Sequence, residues 1–388
     1  MITHVAAKNY RCLLYVEQPL APFQILIGSN ASGKTTFLDT ISFVGDLCSG
    51  GLEVAFSNRT QNPLDLMWGR RPGTIVLELE ARIPDDVAGR WLRYRVAIDV
   101  HPEPAIVRER AFFVEPGSSA SARLLAESTN LLFDRMENGD VTYYPAASGH
   151  QLSYRLGKEK SALAALPPDE YQFAAGLQLK ELMERGVQRM EINGEALRLA
   201  SPPVKTNVFR SDGSNLPWKV QQLKEKQPDS FHHWLRHIRM ALPDIADLDV
   251  IVREDDRHAY LMISYKSGLR APSWVVSDGT LRLLALTILA YLPAHSDIYL
   301  IEEPENGIHP TAIELIHQSL TSVYDGQVLM ASHSPVLLTV AEPEQLLCFS
   351  RNAEGATQIV RGDQHRILKE WRREVSLGTM FASGILGD

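Results

Sequence analysis

Cysteine is scarce in this chain of 388 residues: Cys12, Cys48 and Cys348 lie far apart and form no CxxC pair. Such spacing excludes the disulfide framework of a small secreted domain. Scattered free thiols are typical of a reducing compartment, so the sequence predicts a cytoplasmic protein.

Long hydrophobic runs are also missing. The apolar stretch 281–293 contains Arg282, and the first fifteen residues carry His4, Lys8 and Arg11 without a long apolar core. A bilayer span needs about 20 consecutive apolar residues, and an export signal needs an apolar core of its own. We therefore predict no membrane segment, no export signal and no membrane partner.

An excess of positive charge is absent as well. The formal net charge of −8 argues against a protein that wraps nucleic acid, because such binding rests on many lysine and arginine contacts with phosphate. A local basic groove stays open as an alternative to ordinary solvated charge. The basic residues that would form it are Arg70, Arg71, Arg93, Arg95, Arg108, Arg110, Lys219, Lys224 and Lys226.

The sequence does contain a complete phosphate-binding loop. Residues 23–27 predict a short apolar strand and residues 35–47 a helix, which is the context that such a loop requires. The residues of the loop are Gly28, Ser29, Asn30, Ala31, Ser32, Gly33, Lys34 and Thr35. The glycines let backbone N–H groups face phosphates, Lys34 neutralises the outer phosphates, and the Thr35 hydroxyl can ligate Mg²⁺.

Two adjacent carboxylates follow a second apolar strand, predicted over 298–301. Neighbouring strand residues point to opposite faces, so one carboxylate can face Mg²⁺ while the next faces an attacking water. We assign Glu302 to the metal and Glu303 to general-base work. Aspartate is commoner at the first position, which leaves open whether Glu302 contacts the ion directly or through water.

Two further polar features flank predicted apolar elements. Ser277 and Gly279 precede a helix predicted to end near residue 292, and a hydroxyl and amides at a helix start can bind an anion. Alone, this pattern usually indicates only a helix cap, but the neighbouring motifs favour a functional interpretation. His333 follows a strand predicted over 327–331, from which its side chain can reach a terminal phosphate.

Together these residues resemble the ABC-type ATPase head of the RecF, SMC and OLD-like branch, specifically over 1–45 and 273–340 and more weakly over 46–115. The opening Lys8-Asn9-Tyr10-Arg11 is similar to that branch too. The resemblance implies an α/β P-loop NTPase with a mixed or parallel core sheet and an antiparallel β subdomain. It also implies ATP and Mg²⁺ as ligands.

Roles for individual residues follow from the same resemblance. It implies a Walker A loop from Gly28 to Thr36, a signature at 277–280, a Walker B strand at 298–303, a D-loop at 304–310 and a switch histidine at His333. Lys34, Glu303 and His333 would then serve hydrolysis, with ATP sandwiched between two heads of a homodimer or higher homo-oligomer. Gln61 is the nearest candidate for a Mg²⁺-sensing glutamine, and a plain surface-loop position explains it equally well.

We expect three parts: an N-terminal part of the head (1–115), an inserted, mainly helical lobe (116–241) and a C-terminal part of the head (242–388). OLD-like relatives often carry a TOPRIM-type nuclease after the head, and we expect none here. A separately encoded effector, such as a nuclease in defence against phages or plasmids, is the first hypothesis. The alternatives are a RecF-like repair ATPase that grips DNA itself and a switch that barely hydrolyses ATP.

A histidine pair raises a different possibility, since His233 and His237 are four residues apart in one predicted helix and face the same side. No third metal ligand is evident. Because Trp234, Arg236 and Arg239 are interleaved with them, we interpret this segment as a packed amphipathic helix rather than a metal site.

Overall fold

The computed structural model describes residues 1–83, 89–117, 126–146, 149–203, 208–293, 297–324 and 326–369. Its strands are β1 (Ile2–Tyr10), β2 (Leu13–Pro19), β3 (Phe23–Gly28), β4 (Thr74–Arg82), β5 (Trp91–Asp99), β6 (Ala105–Val114), β7 (Leu131–Arg135), β8 (Asp140–Tyr143), β9 (Leu152–Arg155), β10 (Val187–Met190), β11 (Ile245–Val252), β12 (Ala259–Tyr265), β13 (Arg270–Pro272), β14 (Ile298–Glu302), β15 (Gln327–Ala331), β16 (Leu346–Arg351) and β17 (Thr357–Arg361). Its helices are α1 (Lys34–Ser57), α2 (Glu170–Glu181), α3 (Gly194–Arg198), α4 (Leu216–Lys226), α5 (Pro228–Ala241), α6 (Asp278–Thr287), α7 (Pro310–Thr321), α8 (Pro335–Val340) and α9 (Arg366–Lys369).

A six-stranded sheet forms the centre of the molecule, in the order β10-β14-β15-β3-β16-β17. All neighbouring pairs are parallel except β16 with β17. Parallel strands end at the same edge of a sheet, and the loops that follow them form ligand sites there. The phosphate-binding loop, the two glutamates and His333 follow β3, β14 and β15, so the topology brings all three motifs to one edge.

Side chains on opposite faces of β14 enter two different hydrophobic cores. Ile298 and Leu300 belong to a core that contains α1 and the larger antiparallel sheet. Tyr299 and Ile301 belong to the other core, built mainly from α4 to α7. A strand buried on both faces is apolar at every position rather than at every second one. This explains why the strand before Glu302 could be recognised as a continuous apolar run.

The second sheet has eight antiparallel strands in the order β2-β1-β4-β5-β6-β7-β8-β9. The strands predicted over 74–83, 91–100 and 106–115 correspond to β4, β5 and β6 within one residue at each end. A third sheet contains β11, β12 and β13, and the first two form the hairpin that the sequence predicts over 245–252 and 259–266. Among the described residues, no helix is long and apolar enough to cross a bilayer.

The first helix is longer than expected. We expected Gly45, Gly50 and Gly51 to end it, whereas α1 continues to Ser57 with a single kink at Gly51 (φ 73°, ψ −167°). A Cβ on Gly51 would lie 2.8 Å from the carbonyl oxygen of Glu159, so this glycine permits a close backbone approach. The glycines therefore serve packing along the helix and not its termination.

The segment 116–241, expected to be mainly helical, contributes strands to both large sheets. β7, β8 and β9 extend the antiparallel sheet, and β10 pairs in parallel with β14 at the edge of the central sheet. The sequence predicts helices around 161–166, 171–185 and 231–241; the first segment forms turns, whereas α2 and α5 lie in the other two. Strands of four or five residues carry too little alternation to be recognised without their partners. The apolar stretch 378–388 lies outside the described residues.

Candidate active site

The loop between β3 and α1 owes its shape to residues with positive φ. Gly28 (φ 146°) ends β3, and a Cβ there would lie 2.2 Å from the carbonyl oxygen of Phe349. Ala31 (φ 62°) and Gly33 (φ 110°) follow, the latter as the N-cap of α1. Only glycine avoids the clash at position 28, and the loop delivers the free N–H groups of a helix start to the edge of the sheet. Such a terminus attracts phosphate.

Lys34 lies across this loop. Its Nζ donates hydrogen bonds to the backbone carbonyls of Gly28 and Ser29, both at 2.9 Å. Burial lowers the pKa of Lys34 to about 8, while the nearby carboxylates of Glu303 and Glu302 act in the opposite direction. A phosphate in the loop would supply the negative charge that favours this ammonium group.

The side chains of Thr35 and Glu302 contact each other in the cleft. The Thr35 hydroxyl donates to Glu302 Oε2 at 2.5 Å, although the two residues are 267 positions apart in sequence. Oxygen donors of this kind suit Mg²⁺, which takes few protein ligands and completes its shell with phosphate and water. The predicted metal pair therefore fits the ion. Among the described residues there is no cluster of three or more histidine, cysteine or acidic side chains that would hold a metal by itself.

Glu303 leaves the strand direction of β14. It has a left-handed backbone (φ 48°), which is unusual for a residue with a side chain, and its N–H donates to the carbonyl of Ala331 at 2.8 Å. Its Oε2 accepts a hydrogen bond from Asn306 Nδ2 at 2.5 Å. Because β14 ends at Glu302, the alternation predicted for the two glutamates does not hold, and both line the same cleft. Strained backbone of this kind persists where the surrounding structure enforces it.

The Glu305 carboxylate fixes the backbone at His333 through hydrogen bonds. The Glu305 Oε1 atom accepts from the Ser332 hydroxyl at 2.7 Å and from the backbone N–H of His333 at 3.0 Å. Burial, and then the charge of Lys34, lower the pKa of His333, while Glu303 and Glu305 oppose the shift. A lowered pKa favours the neutral imidazole at pH 7, which can donate one hydrogen bond from one ring nitrogen.

A cleft of about 590 Å³ brings most of the predicted site together. It is lined by Arg11, Cys12, Asn30, Ala31, Gly33, Lys34, Thr35, Thr36, Glu302, Glu303, Ala331, His333 and Arg351. Of the remaining loop residues, Gly28 and Ser29 contribute the carbonyls that hold Lys34, while the buried Ser32 accepts a hydrogen bond from Thr357 through its carbonyl. Ser277 and Gly279 do not line this cleft.

The predicted signature lies at the start of α6. Ser277 is exposed and is the N-cap, its hydroxyl accepting from the Thr280 N–H at 3.2 Å. A Cβ on Gly279 would lie 2.5 Å from the carbonyl oxygen of Gly307, in the loop that follows the two glutamates. The helix start is thus packed against the predicted D-loop, and the capping Ser277 is not among the residues that line the cleft.

Three other sequence candidates are not part of the cleft. Gln61 is an exposed loop residue and does not line it. His233 is exposed, and His237 contacts the hydroxyl of Tyr291 at 3.0 Å, as expected for a packed helix. On the antiparallel sheet, the arginines at positions 93, 95, 108 and 110 all lie in ion pairs with acidic neighbours. Acidic neighbours compensate the charge of these four arginines, which favours ordinary surface charge over a basic groove for nucleic acid.

Sequence reasoning missed four residues of this region. Arg11 was noted only as part of the opening motif, and Arg351 carried no signal; both line the cleft. Glu305 follows the acidic pair closely enough to have been considered. Arg189 on β10, which donates to Glu302 Oε1 at 3.0 Å, had no signal at all, because its strand was recognisable only once paired with β14.

The chain was compared with known proteins. A family model described as "AAA domain, putative AbiEii toxin, Type IV TA system" matches residues 23–339. An SMC head solved with the C-winged helix domain of ScpA is 14% identical, with a TM-score of 0.53 over 92% of this chain and 97% of that one. An SMC head with an extended coiled coil, from Pyrococcus furiosus and bound to the C-terminal domain of ScpA, is 12% identical, with a TM-score of 0.49 over 99% of this chain and 98% of that one.

The SMC head domain from Thermotoga maritima is 11% identical, with a TM-score of 0.45 over 93% of this chain and 98% of that one. At sequence identities this low, a structural likeness shows the fold alone. The fold assignment rests on the SMC head with the TM-score of 0.53. A search of curated proteins found no match.

Proposed function

Because this chain belongs to the AAA-domain family described with the putative AbiEii toxin of type IV toxin–antitoxin systems, and because it has the predicted ABC-type ATPase head fold, we propose that it hydrolyses ATP with Mg²⁺. One observation carries the proposal. Residues from three separate segments, Lys34 with Thr35, Glu302 with Glu303, and His333, line one cleft at the carboxyl edge of the central sheet.

Each side chain has a task that its surroundings support. The loop N–H groups and Lys34 bind the β- and γ-phosphates. Thr35 and Glu302 would hold Mg²⁺, which when bound neutralises charge on the phosphate oxygens. Glu303 accepts the proton of the attacking water, with Asn306 fixing its carboxylate. Neutral His333 donates a hydrogen bond to the terminal phosphate as negative charge gathers there.

We propose further that hydrolysis requires two copies of the chain. Among the described residues, the start of α1 lines the cleft and the start of α6 does not, and Ser277 at that second helix start is exposed. A head-to-tail pair would place the Ser277 end of one copy over the nucleotide of the other. ATP would then join the two heads, and hydrolysis would release them.

The partner is proposed to be a separately encoded effector, such as a nuclease, controlled by this cycle in the cytoplasm during defence against phages or plasmids. The toxin–antitoxin description of the family supports a defence role, and the SMC head bound to the C-winged helix domain of ScpA supports the idea that such a head engages another protein. The compensated arginines of the antiparallel sheet give no support to direct DNA binding.

The effector proposal predicts nucleotide-dependent association. Tagged full-length protein carrying Glu303→Gln should retain its native partner in the presence of ATP and Mg²⁺, because the closed pair persists when hydrolysis is blocked. Quantitative mass spectrometry of material purified with ATP or with ADP measures the ratio. A partner retained equally in both nucleotides would contradict control by the ATP cycle.

The catalytic proposal is tested by the same substitution in purified protein. Glu303→Gln should lower turnover about 100-fold or more, since a positioned general base contributes on the order of 10²–10⁴ in rate. ATP affinity should change little because the amide keeps the shape of the side chain. Phosphate release and binding of a fluorescent ATP analogue separate the two quantities.

Glu314→Gln is the matched control for that experiment. Glu314 lies on α7 and its carboxylate contacts Gln318 rather than the cleft, so turnover should be unaffected. Wild-type turnover in a folded Glu303→Gln protein would remove Glu303 from the mechanism.

A further inference from the structure

Both oxygens of the Glu302 carboxylate are engaged by protein. Oε2 accepts from the Thr35 hydroxyl at 2.5 Å, and Oε1 accepts from Arg189 Nη2 at 3.0 Å. The first contact joins the two groups expected to ligate Mg²⁺. The second places a positive charge on the other oxygen of the same carboxylate, next to the point where a divalent cation would bind.

The position of Arg189 is a property of the sheet. β10 runs parallel to β14 with Arg189 opposite Leu300, so a long side chain that leans along the strand direction reaches Glu302 two residues further on. The Arg189 Nε atom also lies 3.1 Å from Glu191 Oε1. The guanidinium therefore has a second carboxylate partner that is not part of the cleft.

There is also room for the guanidinium elsewhere. A cavity of about 750 Å³ lies between β10, α3 and the start of α6, on the far side of the glutamates from the phosphate-binding loop. Arg189, Glu191 and Asp278 line it, as does Glu302 itself. Loss of the contact with Glu302 would leave Arg189 in its ion pair with Glu191, and because the Arg189 side chain is 43% exposed, no unpaired charge would be buried.

We propose that Arg189 is a positioning residue that competes with Mg²⁺ for Glu302. This rests on the proposed function. An ion held by Thr35 and Glu302 Oε2 and a guanidinium on Glu302 Oε1 would share one carboxylate, and two positive charges so close together repel each other. With Mg²⁺ and nucleotide bound, Arg189 would leave Glu302 and keep its contact with Glu191 at the cavity, and without the ion it would return to Glu302.

The competition is measured by the effect of Mg²⁺ on nucleotide affinity. The magnesium ratio is defined as Kd for a fluorescent, slowly hydrolysed ATP analogue in EDTA divided by Kd in excess Mg²⁺. Arg189→Gln should raise this ratio about fivefold, the upper end of the contribution of a partly exposed ion pair. Arg189 and Glu302 side chains are 43% and 28% exposed, which keeps the effect at that size.

Arg198→Gln is the matched control, because Arg198 lines the same cavity and its nearest hydrogen-bond acceptor is the carbonyl of Val276 rather than Glu302. Its magnesium ratio should equal that of wild type.

Arg189→Lys keeps a positive charge without the planar fork of the guanidinium, so its magnesium ratio should lie between those of wild type and Arg189→Gln. If Arg189→Gln does not melt cooperatively, the ratio of Arg189→Lys tests the proposal in its place.

An unchanged or lowered ratio in folded Arg189→Gln would overturn the proposal, and so would an equal rise in Arg198→Gln. Failure of the proposed function gives a different result. In that case wild-type protein itself would bind no nucleotide, or would bind it with a magnesium ratio of one.

Discussion

The phosphate-binding cleft and the start of α6 use the same element, a helix N-terminus, in opposite ways. At Lys34 the helix start is turned into the molecule and is surrounded by side chains from β14 and β15. At Ser277 the helix start is exposed, and its capping hydroxyl bonds only within its own turn. A buried helix start surrounded by polar groups can hold a ligand alone, whereas an exposed one needs something to be brought to it.

On the proposed function, this difference means that the molecule carries two halves of a site that do not meet within one chain. The cleft would supply the groups for phosphate, metal and water, and the start of α6 would supply a second set of N–H donors. Packing of Gly279 against Gly307 ties that second set to the loop after the glutamates. A change at one half should therefore have a kinetic signature distinct from a change at the other.

The largest expected contrast is in nucleotide affinity. Lys34→Ala should weaken ATP binding about 100-fold, because hydrogen bonds from a charged donor contribute up to about 3 kcal/mol. Ser277→Ala should leave affinity near wild type, since Ser277 does not line the cleft. Isothermal titration with a non-hydrolysable analogue compares the two, and equal losses would erase the distinction between the halves.

The second contrast is in turnover. Ser277→Ala should lower the rate of phosphate release about 100-fold, as removal of one preorganised donor does at other sites of this type. It should also lower stability by about 1 kcal/mol through loss of the N-cap. Thermal melting determines whether the protein remains folded at the assay temperature. Full turnover in the variant would show that the Ser277 hydroxyl serves only as a cap.

A smaller effect concerns pH and is confined to the cleft. With the pKa of Lys34 near 8 in the free protein, bound phosphate raises it, so affinity is fully present below that pKa and falls as pH rises through it. The limit is about tenfold per pH unit. Binding measured from about pH 7 to about pH 9 tests this, and Lys34→Arg should flatten the profile because guanidinium does not titrate there. A pH-independent wild type would contradict it.

The central strands and the site motifs could be predicted because each is a local pattern. A strand buried on both faces is a continuous apolar run, and the loop, the glutamates and His333 each follow one directly. Parallel pairing then brings these ends together, and the family and fold comparisons confirm the ABC-type head that they indicated.

Arg189 could not be predicted, because its position depends on the pairing of a four-residue strand with β14, more than a hundred residues away. The course of α1 past its glycines likewise depends on Glu159, whose backbone packs at Gly51. Strands β7 to β10 in the segment expected to be mainly helical could not be predicted for the same reason. Short strands take their conformation from neighbours that the local sequence does not contain.

Mixing two inactive variants tests most directly whether the two halves combine between copies. Ser277→Arg protein keeps its loop but places bulk and positive charge at the start of α6, and Lys34→Ala protein keeps that helix start but lacks the loop cation. Each should be inactive alone. A mixed pair has one site with both defects and one with neither.

Equal amounts that pair at random should therefore recover about a quarter of wild-type turnover, since half of the pairs are mixed and each has one intact site of two. Native mass spectrometry establishes that mixed pairs form, and phosphate release measures the recovered rate. Recovery near that level is the result that the account predicts. Mixed pairs that form and remain inactive would contradict a nucleotide site shared between two copies.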